Sequence, residues 1–184
     1  MGVFFMKNQK ILLKYQIFSV IFTFIFGTLL HFTYEWSNQN LVVSLFSAVN
    51  ESTWEHLKLL FFPMLVTTII GYFYIGKESS NFLCAKVIGI IISMLFIIVF
   101  FYTYTGIIGT NFAVLDIGSF FVAVLLGEYL AYKIMLSNFT CNNKIASICL
   151  ILLLLSFMIF TYYPPKIGLF KDPITNNYGI SLIK

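Results

Sequence analysis

Charge is what this chain has least of. Only 10% of its residues are charged, and arginine is absent, so that eleven lysines carry all the fixed positive charge. Soluble domains have about 25% charged residues. A chain that is 60% hydrophobic falls outside that class and reads as an integral membrane protein. The lysines are dispersed and the net charge is only +4, so there is no basic stripe to track a phosphate backbone, which excludes nucleic acid as a partner. Cysteine is scarce as well. Cys84, Cys141 and Cys149 make an odd count without metal-ligand spacing, and they read as apolar filler or free thiols. A cleavage site is also lacking. Lys7, Lys10 and Lys14 precede an apolar run that starts at Ile17 and continues to Trp36 with no small-residue signal, so an uncleaved first helix is expected.

What the chain does have is long apolar runs. A spanning helix needs about 20 apolar residues, and five stretches qualify: Ile11–Trp36, Ser52–Ile75, Phe82–Tyr104, Asn111–Leu136 and Lys144–Tyr163. Polar or turn-forming segments separate them, Gly106 and Gly109 are expected to make a tight turn between the third and fourth, and Pro164-Pro165 stops the fifth. The expected fold is a single all-α domain, a polytopic transmembrane helix bundle in the cell membrane. With the N-terminus inside, Lys7, Lys10, Lys14, Lys77, Lys86, Lys133 and Lys144 fall on the inner side and Lys58, Lys166, Lys171 and Lys184 on the outer, the bias the positive-inside rule requires. An odd number of spans then leaves the tail, residues 164–184, outside, and puts the cysteines near the reducing side, where no disulfide is expected. Residues 41–49 are apolar but too few to cross, which leaves a re-entrant or an interfacial segment. The tail, with Lys171-Asp172-Pro173 and Tyr178-Gly179, either folds back over the outer face or is disordered.

One polar stretch interrupts this pattern: Asn50-Glu51-Ser52-Thr53-Trp54-Glu55-His56. Ser52 and Glu55 match a capping box at a helix start, acidic Glu51 and Glu55 suit the positive end of the helix dipole, and Trp54 suits an interfacial anchor. Capping does not account for His31, the only other histidine. It lies about 25 Å along the axis from Lys14 at 1.5 Å per residue, close to the depth of His56. Asp116, one turn into the fourth span, reaches a similar level. Ionisable groups in spans are costly and mark functional sites by default. Two imidazoles and a carboxylate are a ligand set for a divalent metal such as zinc, with His31, His56 and Asp116 as ligands. Ser52 belongs to the same polar group, and Glu51 or Glu55 is the expected base toward a metal-activated water. Glu128, deep in the fourth span, is expected to pair with Lys133 or Lys86, or else to carry protons.

Val49-Asn50-Glu51-Ser52-Thr53-Trp54-Glu55-His56-Leu57-Lys58, with His31 and Tyr34-Glu35-Trp36-Ser37 before it, resembles the signature of a family of small bacterial multi-pass membrane proteins of unknown function. The resemblance continues through Tyr102-Thr103-Tyr104-Thr105-Gly106, Asp116-Ile117, Leu169-Phe170-Lys171-Asp172-Pro173 and Tyr178-Gly179-Ile180. It implies no activity, but it does imply that these polar positions belong to one pattern. The chemistry is similar to that of membrane-embedded zinc hydrolases of the alkaline ceramidase type, which combine His, Asp and Ser near one membrane face on a larger bundle with one more histidine. Three functions follow as expectations. The first is a metal-dependent, membrane-embedded hydrolase of a lipid or other amphiphile with an outward-facing site. The second is a small cation- or proton-coupled carrier or channel using Asp116 and Glu128. The third is a noncatalytic membrane partner subunit. The bilayer is a partner in each, and homo-oligomerisation is compatible with all.

Overall fold

The computed structural model describes residues 2–76, 79–139 and 141–180, with side chains from residue 9 onward. Lys77 and Lys184 of the topology argument, and the end of the tail, lie outside the described residues. Five helices are long and apolar enough to cross a membrane: α1 (Gly2–Trp36), α2 (Thr53–Tyr74), α3 (Phe82–Ile108), α4 (Ala113–Met135) and α5 (Asn143–Tyr162). Apart from the start of α1, the expected spans are recovered within a few residues. α1 begins nine residues ahead of its expected span, at Gly2, and α3 extends four residues past its own, running through Gly106 as ordinary helix and stopping at Gly109, whose φ of 85° makes it the left-handed cap. The turn therefore needs Gly109 alone.

The end of the bundle that carries Trp36, Thr53 and Tyr162 is called the His end below. There residues 41–49 form a short 3-10 turn, Val43–Leu45, that rests across α1, α2 and α5. Its Ser44 and Ser47 are fully buried. The Tyr162 hydroxyl donates to the Leu41 carbonyl at 2.9 Å, and Ser47 Oγ accepts the Tyr34 amide of α1 at 3.1 Å.

Small residues let helices approach where lipid offers no hydrophobic drive to associate. Gly89 of α3 faces Gly127 of α4 so closely that a Cβ on either would lie 2.5 Å from the other's carbonyl oxygen, and Ser93 Oγ donates across the same contact to the Ala123 carbonyl at 2.7 Å. On the other side, Pro63 deprives the Leu59 carbonyl of its helical donor. That carbonyl points at Gly27 of α1, where a Cβ would sit 2.5 Å away.

Within the bundle Glu128 of α4 meets Lys86 of α3, whose Nζ is 2.6 Å from both carboxylate oxygens. Ser19 of α1 donates to Glu128 Oε1 at 2.6 Å and links it to Thr67 of α2 at 2.8 Å. The choice between Lys86 and Lys133 is thus resolved in favour of Lys86. Lys133 instead lies over the Tyr129 ring, 5.8 Å from its centroid. Both members of the pair are almost wholly buried. Lys58 is buried in a second ion pair, so each side of the lysine count loses one residue and the bias keeps its sign.

The expectation of free thiols is corrected for two cysteines. Asn81, just before α3, donates from Nδ2 to the Ile134 and Phe139 carbonyls at 2.7 and 3.1 Å. This folds the α4–α5 connection over the start of α3 and joins Cys84 to Cys141 as a disulfide, with Cα atoms 6.2 Å apart, inside the usual range. Partners 57 residues apart leave no local sign in sequence.

Two outcomes are expected. Glu128→Gln strands the Lys86 ammonium and should cost about 3–5 kcal/mol of stability in detergent unfolding, whereas Glu128→Leu with Lys86→Met should recover most of it. Thiol counting on unreduced, denatured protein should find Cys149 alone reactive.

Candidate metal centre at the His end

The site begins with the cap of α2. Ser52 has extended dihedrals (φ −69°, ψ 150°) and its Oγ accepts the Glu55 amide at 3.4 Å, as the capping box requires. The reciprocal half is not made. Asn50 Oδ1 takes the Ser52 amide at 2.9 Å, and the Glu55 carboxylate turns inward, accepting the Val49 amide at 3.1 Å and Lys58 Nζ at 2.6 Å. Lys58 Nζ also donates to the Ser44 and Ser47 carbonyls at 2.9 and 3.3 Å. With its carboxylate tied to this buried cation, Glu55 is a structural anchor rather than a base poised at a ligand.

Trp54 is buried at the start of α2, its ring packed among Phe157, Phe170 and Phe160 at centroid distances of 4.6, 4.8 and 5.6 Å. An indole among three rings gains area burial and ring-ring contact together, which is why it serves the core of this end.

His56 lies one turn into α2. Its Nδ1 is 3.0 Å from the Ser52 carbonyl, an acceptor only, so Nδ1 carries the proton and donates. That leaves Nε2 facing the Glu51 carboxylate at 3.4 Å. An unprotonated imidazole nitrogen and a carboxylate oxygen repel at that distance, so a positive charge, either a proton or a metal ion, has to sit between them. The ring of His31 is 5.3 Å from that of His56, and its Nδ1 is buried without a hydrogen-bond partner. One donor atom from each of His31, Glu51 and His56 lies within 4.8 Å of the other two.

Asp116 does not join this group. It accepts from the Tyr104 hydroxyl and, at 3.1 Å, from Asn111 Nδ2, while Tyr104 Oη accepts the Phe112 amide at 3.2 Å. It braces the connection between α3 and α4. Matching depth therefore located both histidines, but the carboxylate beside them is Glu51. Glu128 lies elsewhere in the bundle, with Lys86. The Ser52 hydroxyl serves as the cap of α2.

The tail folds back over this end, the first of the two expected alternatives. Asp172 Oδ1 and Oδ2 accept the Ile174 amide and the Thr175 hydroxyl at 2.9 and 2.6 Å, and Lys171 bridges Tyr178. Asn50 Nδ2 donates to the Gly179 carbonyl and the Ile180 amide to the Thr161 carbonyl, both at 2.9 Å. Gly179 needs its φ of 65°, because its backbone runs against Thr161 and Pro164. Between tail and bundle lies a cavity of about 290 Å³, walled by His31, Glu35 and Glu51 on one side and by Asp172, Thr175 and Asn177 on the other. Glu35 and the tail residues were not candidates in sequence. The turn signal at Lys171-Asp172-Pro173 was the available clue.

The hydrogen bond from His56 holds the Glu51 carboxyl below its ordinary value of 4.5, against a smaller upward push from burial. A carboxyl lowered on folding adds stability above its unfolded value and loses it as pH falls through the folded one. The stability of the metal-free protein against unfolding should accordingly fall as pH drops below about 4.5, with a smaller slope in Glu51→Gln. Equal slopes in the two proteins would contradict the contact.

Neither the curated proteins nor the solved structures contain a match to this chain. A family model described as a family of unknown function, DUF6512, matches residues 5–180. That match takes in all five helices, the polar heptad and the folded tail through Ile180, and the chain belongs to this family.

Proposed function

We propose that the His end holds a divalent transition-metal ion, zinc first, on His31, His56 and Glu51, and that the site hydrolyses a lipid or another amphiphile at the outer face of the membrane. The observation that carries this reading is the convergence of the three donor atoms within 4.8 Å of one another, from α1, α2 and the segment just before α2. Ligands on a tetrahedral zinc lie about 3.4 Å apart, given zinc–ligand distances of about 2.0–2.2 Å. The His56–Glu51 separation of 3.4 Å already meets that requirement, and His31, within 4.8 Å of both, needs to close by up to about 1.4 Å. The bond from His56 Nδ1 to the Ser52 carbonyl is the support that orients a metal-binding imidazole and fixes its tautomer. A set of two histidines and one carboxylate leaves a position for water, and a bound divalent ion lowers that water's pKa toward neutrality.

With Glu51 among the ligands and Glu55 held by Lys58, the carboxylate placed to take a proton from a water in the cavity is Glu35, which is exposed and lines it. The cavity matches a headgroup or a short polar group more nearly than a whole amphiphile, since pockets for complete small molecules run about 300–1,000 Å³. The apolar remainder of the substrate would stay in the bilayer. A carrier working through Glu128 has less support, because Lys86 engages both of its oxygens and the pair is buried.

Metal analysis of detergent-purified protein should find about one zinc per chain. His31→Ala, His56→Ala and Glu51→Ala should each lower the affinity by at least tenfold, the least expected for disturbing a metal site, and Asp116→Asn should leave it unchanged. Occupancy should fall as pH drops through about 6.5, where protons compete for imidazole. Metal-free protein that keeps the same fold in all these variants would remove the proposal.

A further inference from the structure

A second site lies at the opposite end of the bundle. Near the His end α2 and α5 are held together by Phe157, which is fully buried with its ring 4.6 Å from Trp54 and 4.8 Å from Phe61. Further along, the two helices part. α5 leans on α3 instead, and a cleft of about 420 Å³ opens between α2 and α5. Ile69, Tyr72 and Phe73 of α2 form one wall, Leu83 of α3 and Leu150 of α5 form the floor, and Asn143, Lys144 and Ser147 form a polar edge at the start of α5.

We propose that this cleft binds one anionic phospholipid, with its phosphate on Lys144 and an acyl chain along the apolar wall. The lining is amphipathic in the same sense as a lipid. Lys144 and Leu150 are about 9 Å apart along the helix axis, so cation and floor are separated as a headgroup is from the upper part of its chain. Two lining hydroxyls donate within their own helices, Thr68 Oγ1 to the Met64 carbonyl at 2.7 Å and Ser147 Oγ to the Asn143 carbonyl at 2.9 Å.

Ile69, Tyr72 and Phe73 are 51%, 49% and 70% exposed on a helix apolar enough to span, so the cleft opens sideways to lipid. Charge selects among lipids. Lys144 is exposed and has no ion-pair partner among the described residues, and no described carboxylate lines the cleft. Its position in the first turn of α5 adds the positive end of that helix's dipole.

Delipidated protein offered equal amounts of phosphatidylglycerol and phosphatidylcholine, with retained lipid read by native mass spectrometry, tests the site. Phosphatidylglycerol should be retained about fivefold better, the factor one lysine contributes at an anionic surface. Lys144→Ala and Lys144→Glu should abolish the preference, and Ser147→Phe, which fills the cleft, should lower retention of both lipids. Lys133→Ala, at the same end but on α4, should change nothing. Lys144 is exposed, so its variants should fold. Equal retention of the two lipids, a preference that survives Lys144→Glu, or one lost equally in Lys133→Ala would overturn the proposal.

Discussion

The His end depends on one buried ion pair. Lys58 Nζ meets Glu55 Oε2 at 2.6 Å with both side chains shut off from solvent, and neither charge could remain there alone. Each partner also bonds the linker, Lys58 through the Ser44 and Ser47 carbonyls and Glu55 Oε2 through the Val49 amide, while Glu55 Oε1 is buried without a partner. Ser47 in turn holds α1 through the Tyr34 amide. The linker is thereby fixed to both helices within a turn of His31 and of His56. Glu51 enters the group because the backbone leading to it has no freedom to be elsewhere. The pair orders the site without touching its donor atoms.

The polar clusters of this bundle divide by how completely they are satisfied. Where water is absent every polar group needs an internal partner. Glu128, Lys86, Ser19 and Thr67 come near that standard, since the carboxylate and the ammonium are matched and four helices share the bonds. Such a cluster fixes helix register and leaves nothing for a ligand. The group at His31, Glu51 and His56 is different. It has an imidazole nitrogen without a partner and an imidazole–carboxylate contact that requires a positive charge. Buried atoms without a partner also occur in the scaffold, on Gln16, Thr23, Trp54 and Glu55; what separates the candidate site is that two imidazoles and a carboxylate converge there.

The helices were legible in sequence because length and hydropathy are nearly sufficient for a span. The cap at Ser52 was legible because its geometry is local. Depth along a helix axis follows from counting residues, which is why His31 and His56 were expected together. Azimuth does not follow from counting. Asp116 has the right depth and is turned to Tyr104, while Glu51, nearer in sequence to His56 and more easily assigned to the helix dipole, is the carboxylate that meets it. The burial of Trp54 was hidden for a related reason. The preference of indole for interfaces is a statement about surfaces, and the rings that bury it come from α5 and from the folded tail. The pairing of Cys84 with Cys141 likewise depends on a loop placed by Asn81, which no spacing rule anticipates.

Proton and metal are alternatives at the His end. The contact between His56 Nε2 and Glu51 calls for one positive charge, and the anchored Nδ1 means that charge can arrive only from the Nε2 side. When a proton supplies it, Glu51 and His56 form a closed ion pair. A metal held as proposed would displace that proton and would also engage His31, which protonation of His56 leaves out. The folded tail adds to this preference, because it walls the cavity beside the donors and reduces the water available to solvate His31 in place of an ion. The resting charge of the site and its accessibility are set by the same two structures, the ion-paired linker beneath it and the tail above.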